Sequence, residues 1–315
     1  MKLLSIVLSF RNEEENLPEL VTRISSTMKK KSLWSYELIF VNDSSTDKSE
    51  QVLESLQKNY PIKIINLSKR FGNSSSILAG FEYSRGDCVV YLDSDLQDPP
   101  ELIFEMINKY EEGYDIIHTK RIKRLGESFS KLFLTSVAYK IINLFSNIKL
   151  IENAGDFKLI SRRALEEIKK LKEHEPYLRG LVTWVGFKQT ILDYERQPRK
   201  YGLTKFPIFF SLGPVREFIR GITGFSMFPL YFLTALGMAT FIISVFLIIL
   251  IFYLKLKNIL VSDLSSILIA ITIFSGIIIS VMGIFSLYLI RIYEEVRGRP
   301  RYIVETIKSK SNENK

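Results

Sequence analysis

Cys88-Val89-Val90-Tyr91-Leu92-Asp93-Ser94-Asp95-Leu96-Gln97-Asp98-Pro99-Pro100 is the stretch on which the reading of the fold turns. Five apolar residues in a row, with no polar alternation, suit a strand covered on both faces, and the Pro-Pro pair marks a helix start. Working outward from it, similar runs recur at Leu3–Phe10, Tyr36–Asn42, Ile62–Leu67 and Asp115–Thr119, with Asp87–Leu92 among them. Helical patterns lie between, at Leu17–Lys30, Lys48–Asn59, Ser74–Ser84 and Pro100–Glu111. Continuous apolar strands alternating with helices predict an α/β domain built on a mainly parallel sheet. In such a sheet ligands bind beyond the carboxyl ends of the strands.

Acidic residues fall at those ends. Asp43 closes the second strand in Val41-Asn42-Asp43-Ser44-Ser45-Thr46-Asp47, and Asp93 and Asp95 close the fourth. Two carboxylates on alternate residues past a buried strand make a poor structural choice unless a cation sits between them. A divalent metal bridging a diphosphate supplies one, because Mg²⁺ characteristically takes one or two carboxylates plus phosphate oxygens. An isolated Asp-x-Asp arises by chance in many loops; the strand before it and the helix start after it give this one weight.

Apolar residues make up 47% of the 315. No charge falls between Gly221 and Leu254, nor between Leu264 and Ile290. Each stretch exceeds the ~20 helical residues that cross a bilayer core, so spans are expected at 226–254 and 264–290. The net charge of +9 is placed to suit topology rather than nucleic acid. Arg216 and Arg220 precede the first span, and Arg291, Arg297, Arg299 and Arg301 follow the second, which predicts both termini on the cytoplasmic side. Two further amphipathic stretches, 128–150 and 207–225, suit interfacial helices, the first equally well a helix packed on the core. Cys88 is the sole cysteine, so no intrachain disulfide forms, and its apolar setting predicts a buried structural thiol. The expected organisation is a cytoplasmic domain at 1–206, a juxtamembrane segment, two spans and a cytoplasmic tail at 291–315, with Ser309–Lys315 disordered.

Leu3–Phe10 followed by Arg11-Asn12-Glu13-Glu14-Glu15, the Asn42–Asp47 turn and Asp93-Ser94-Asp95-Leu96-Gln97-Asp98-Pro99 together resemble an inverting family-2 glycosyltransferase of the GT-A fold. The later chain resembles its polyprenyl-phosphate branch, which includes bactoprenol glucosyltransferases and dolichol-phosphate mannose synthases. The likeness runs from Leu3 to about Ile303, ending in Arg297-Gly298-Arg299-Pro300-Arg301-Tyr302-Ile303. It implies that Phe10, Arg11, Glu13 and Asp43 hold the nucleoside, that Asp93 contacts the nucleotide-sugar and that Asp95 binds Mg²⁺ or Mn²⁺. It further implies that Asp156 is the catalytic acidic residue, as base or orienting group. Arg199, Thr204 and Lys205 would hold the acceptor phosphate. The implied activity moves a sugar, glucose from UDP-glucose as first choice, onto undecaprenyl phosphate at the cytoplasmic membrane face. The same chemistry with GDP-mannose and dolichyl phosphate, or another UDP-sugar, is the near alternative. A non-catalytic scaffold or lipid-sugar translocase is the distant one, and homo-oligomers are compatible with Gly276 and Gly283 in the second span.

An acceptor phosphate with a second pKa near 6 is largely dianionic at neutral pH, so in-line positioning and charge cancellation matter more than a base. Three departures from the family pattern stand out: Ser45 where glycine is usual, Thr204 for serine, and Asn73 at a lysine position after Arg70. His118 and His174 suggest no zinc site, and Trp184 suits core packing better than a sugar pocket.

Overall fold

A computed structural model of the protein describes residues 1–124, 140, 143–144, 151, 154–171, 173, 176–197, 224–226, 228–257 and 263–309. The segment holding Arg199, Thr204 and Lys205 lies outside these residues, as do His174, residues 310–315 and nearly all of 128–150 and 207–225.

Eight strands form one sheet: β1 Lys2–Phe10, β2 Trp34–Asn42, β3 Ile62–Leu67, β4 Cys88–Asp93, β5 Ile116–Arg124, β6 Ala154–Ser161, β7 Gln189–Arg196 and β8 Val304–Ser309. Their order is β7-β5-β6-β4-β1-β2-β3-β8. The block β4-β1-β2-β3 is parallel, as continuous apolar strands require. β6 runs antiparallel to β4 and β5, and β8 antiparallel to β3, so the sheet is mixed.

The helices are α1 Leu17–Lys29, α2 Ser49–Leu56, α3 Asn73–Glu82, α4 Ile103–Glu111, α5 Arg162–Lys170, α6 Leu178–Trp184, α7 Phe228–Leu256 and α8 Asp263–Arg297. Strand side chains alternate between two apolar layers. Leu4, Ile6, Leu8 and Phe10 of β1 pack with α1, α2 and α4, whereas Val7 packs with α3, α5 and α6. Burial of each such side chain contributes about 1.5–3 kcal/mol, so this double layer is what holds the strand ends level. Gly80 lets α3 lie close to β1, since a Cβ there would collide with Val7 Cγ1.

α7 and α8 are both long and apolar enough to cross a membrane. Their flanks are open: Phe246 is 63% and Ile249 62% exposed. α8 spans 35 residues, which at about 1.5 Å per residue gives roughly 52 Å, well beyond a ~30 Å hydrocarbon core. Its last turns carry Arg291, Glu294, Glu295 and Arg297, and Arg291 pairs with Glu173 at 3.3 Å. A Cβ on Gly237, Gly276 or Gly283 would meet nothing among the described residues, so those glycines do not bring α7 and α8 into close contact.

The stretch 291–315, expected as a cytoplasmic tail, is built into the fold as far as residue 309. Residues 291–297 continue α8, and 304–309 return to the sheet as β8, so the α/β domain does not end near 206. Tyr302 and Val304 pack against the α3–α5–α6 layer, and Lys308 pairs with Glu50 at 2.7 Å. Short alternating sequences such as Val304–Ser309 carry weak strand signals on their own; pairing with the β3 edge supplies the missing stabilisation.

Candidate active site

The register sets the strand ends side by side. Phe10 faces Asn42 across β1 and β2, and Ser9 faces Asp93 across β1 and β4. β1 lies where the strand order reverses, the position at which open α/β sheets form a crevice. Each loop leaving these strands contains a non-glycine residue with positive φ: Asn12 at 56°, Ser44 at 59° and Leu96 at 59°. For a buried leucine this conformation is strained, and such strain gathers at functional sites. The residue that bends the Asp43 turn is thus Ser44, and Ser45 does not adopt the positive φ for which a glycine would be needed.

The first two turns are laced together. Asn12 donates its backbone N–H to Ser45 Oγ at 3.1 Å and accepts from Thr46 N at 2.8 Å. Glu13 donates its N–H to Ser49 Oγ at 2.9 Å, and its carboxylate accepts from Asn16 Nδ2 at 2.6 Å. Asp43, 5% exposed, accepts from the amides of Phe71 at 2.7 Å and Gly72 at 3.1 Å, which ties the loop after β3 to the site. Phe10 is only 2% exposed and packs edge-on to Phe40 at 6.1 Å between ring centroids. Its side chain belongs to the core, and what it lends the turn is its carbonyl, which accepts from Asp43 N at 3.0 Å.

β4, the loop after it and β6 bring Asp93, Asp95, Asp98 and Asp156 into one acidic region. Burial and the charges of Asp95, Asp156 and Asp98 push Asp93 up to about 7. Its Oδ1 accepts from Asn73 Nδ2 at 3.1 Å. Asp95 accepts from Gln97 N at 3.2 Å, which curls the loop back on itself. Burial acts to raise Asp156 too, but Arg179 overrides it and holds the carboxyl well below the usual range. The guanidinium grips it at both oxygens, Nε to Oδ1 at 2.8 Å and Nη2 to Oδ2 at 2.6 Å. Lys158, 1% exposed and two residues along β6, is pulled down to about 7 by burial against the attraction of Asp156.

Asp93 and Asp95 offer carboxylate oxygens, which suit a hard cation such as Mg²⁺ or Mn²⁺. Among the described residues no group of three His, Cys, Asp or Glu side chains is placed to hold a metal unaided. The mutual repulsion that raises Asp93 is what a cation would relieve, and phosphate oxygens would complete its ligands.

Several contributors were not among the site residues expected from the sequence. Arg179, Asn73 and Lys158 reach the carboxylates from α6, α3 and β6. Asp98 is fully buried, receives the Tyr194 hydroxyl and lies 3.5 Å from Arg121, which anchors the Asp93–Asp98 loop to β5 and β7. His118 is buried inside β5, with Nε2 2.8 Å from Gln189 Oε1. Trp184, expected in the core, is 54% exposed because α6 ends there at the surface. Cys88 is fully buried, and burial raises its thiol pKa.

Carboxylates gathered at the carboxyl ends of a mainly parallel sheet place the chain among the α/β proteins that bind ligands at that edge, and comparison with known proteins narrows the class. The sequence model of Glycosyl transferase family 2 matches residues 5–169, which include Asp43, Asp93, Asp95 and Asp156. The chain belongs to that family and is a glycosyltransferase with a GT-A-like fold.

An uncharacterized glycosyltransferase of Bacillus subtilis is 39% identical over 99% of this chain and 95% of its own length. A prophage bactoprenol glucosyl transferase homolog of Escherichia coli is 33% identical, over 97% of this chain and 99% of its own. The bactoprenol glucosyl transferase of Shigella phage SfV is 32% identical over 98% and 99%. Among solved structures, glucosyl-3-phosphoglycerate synthase from Mycobacterium tuberculosis superposes with a TM-score of 0.49 at 16% identity, covering 70% of this chain and 78% of that one.

Proposed function

We propose that this glycosyltransferase moves a sugar from a nucleotide-sugar to a polyprenyl phosphate at the cytoplasmic membrane face, with inversion at the anomeric carbon. Glucose from UDP-glucose and undecaprenyl phosphate are the first assignments of donor and acceptor. The observation that carries the reading is near-full-length similarity, α7 and α8 included, to proteins named for glucosyl transfer to bactoprenol. The return of β8 to the sheet supports a hairpin of spans, since it keeps the end of α8 on the side of the catalytic domain. The basic residues at that end favour the cytoplasmic side.

The crevice at β1, β2 and β4 is the donor side. The turn at Arg11–Glu13 and Asp43 would take the nucleoside, and Asp93 and Asp95 would hold Mg²⁺ or Mn²⁺ beside the diphosphate. When bound, the metal supplies charge neutralisation for the leaving diphosphate. Asp156 acts as an orienting group in this reading rather than as a base. A carboxylate clamped by Arg179 and held ionised accepts a proton poorly near neutral pH. The acceptor phosphate, already dianionic, attacks without surrendering a proton. Arg199, Thr204 and Lys205 would bind it close to the membrane, where the lipid arrives.

The test uses purified full-length protein in detergent with undecaprenyl phosphate, Mg²⁺ and a panel of labelled nucleotide-sugars, following label into the organic phase. Transfer from one donor, abolished by chelation and by Asp95→Ala, is expected and names the sugar. Absence of transfer from every donor, with nucleotide binding intact, would overturn the acceptor assignment.

A further inference from the structure

The strand that follows α8 pairs with β3 alone, yet side chains link it to turns two strands away. Thr306 on β8 stands opposite Asn66 on β3, and its Oγ1 accepts from Asn66 Nδ2 at 2.8 Å. Asn66 Oδ1 accepts from Asn42 Nδ2 at 3.0 Å, and Asn42 Oδ1 accepts from the Ser45 amide at 2.8 Å. Ser45 Oγ in turn receives the amide of Asn12. An unbroken line of hydrogen bonds thus runs from the C-terminal strand, across β3 and β2, into both turns on the donor side. Asn42 and Asn66 are 5% and 7% exposed, so water competes weakly for these bonds.

The direction of the line is fixed at one end. The Ser45 amide needs an oxygen, so Asn42 must turn its NH₂ toward Asn66. Asn66 must then present its carbonyl to Asn42 and its NH₂ outward. Glu50 Oε1 at 2.7 Å and Thr306 accept that NH₂, and Lys308 of β8 holds Glu50 in place. A second tie runs alongside: Ser68 donates its N–H to Ile303 O at 3.0 Å, at the start of the loop whose Phe71 and Gly72 amides Asp43 receives. Linked bonds of this kind strengthen one another, and loss of an end acceptor loosens the whole.

We infer that β8 positions the nucleotide side of the site, with Asn42, Asn66 and Thr306 as positioning residues that set the Asp43–Thr46 turn. The inference rests on the donor-side reading given above. Its consequence is that nucleotide affinity depends on a strand that reaches the sheet only after both apolar helices have been traversed. A chain in which β8 is not seated on β3 binds nucleotide weakly.

Thr306 is exposed, and valine keeps its β-branched shape, so Thr306→Val removes one acceptor without a packing change. The full chain in detergent is titrated with UDP and with GDP, each with Mg²⁺, and hydrogen exchange of residues 42–47 is followed. Thr306→Val is expected to weaken the bound nucleotide by about three- to ten-fold, the scale of one neutral hydrogen bond. It should also speed exchange of the Ser45 amide at unchanged Tm, and Thr306→Ser should restore both. Equal affinity and exchange in Thr306→Val, or a serine variant as impaired as the valine one, would overturn the inference alone. Wild-type protein that binds neither nucleotide would overturn the donor-side reading and this inference with it.

Discussion

At the scale of single residues, the pairing of Asp156 with Arg179 is the feature with the largest consequence. Arg179→Lys keeps the charge but loses the two-pronged grip, because an ammonium cannot match both carboxylate oxygens. A charge-assisted hydrogen bond contributes about 1.5–3 kcal/mol. Arg179→Lys is therefore expected to lower kcat about ten- to a hundred-fold with donor KM little changed, as steady-state kinetics would show. His118 gives a second expectation. Burial and the charge of Lys158 hold it down to about 3, although its contact with Gln189 works the other way. An unfolded histidine takes up its proton near pH 6.5, whereas the folded one stays neutral until far lower pH. The unfolded chain thus binds more protons in this window, so stability is complete above about 6.5 and falls with pH toward 3, by up to about 1.4 kcal/mol per pH unit. Denaturant titrations between pH 7 and 4 should show a shallower loss in His118→Gln than in wild type. Of the Asp156–Arg179 pair the sequence marked only Asp156. Arg179 lies 23 positions away on another element, and no spacing rule links a carboxylate on a strand to a guanidinium on a helix.

At the scale of elements, the first four strands and their helices were legible because each has a strong period of its own. Predicted and observed bounds differ by a few residues at most for Leu3–Phe10, Ile62–Leu67 and Leu17–Lys30. β6, β7 and β8 were not legible, since their placement depends on antiparallel or edge partners distant in the chain. Close packing at the sheet also sets which glycines matter. A Cβ on Gly86 would lie 2.5 Å from Ser5 N and 2.7 Å from Cys88 O, backbone atoms that cannot move aside without breaking the β1–β4 pairing. Gly237 on α7 has open space around it. Gly86→Ala is therefore expected to cost about 1–3 kcal/mol or more, and Gly237→Ala almost nothing, when the two are compared by thermal unfolding in the same detergent.

For the molecule as a whole, the decisive feature is that the chain leaves the α/β domain, runs through two apolar helices and comes back to the same sheet. Because Cys88 is fully buried, introduced cysteines report without background. In intact cells an impermeant maleimide should label Asn258→Cys, between the helices, while Ser311→Cys, just past β8, should react only after permeabilisation. Labelling of Ser311→Cys from outside would reverse the proposed orientation.

The sequence by itself determined the mainly parallel α/β core, the acidic residues at its strand ends and the two apolar helices. Those features follow from local composition and periodicity, which act over a few turns of chain. Only the tertiary structure decided that Arg179 clamps Asp156 and that Asp98 anchors the Asp93–Asp98 loop to β5 and β7. It also decided that the last strand completes the sheet and is linked to the Asp43–Thr46 turn through Asn66 and Asn42. These depend on residues brought together from opposite ends of the chain, where the favourable terms are single hydrogen bonds and ion pairs that leave no period to read.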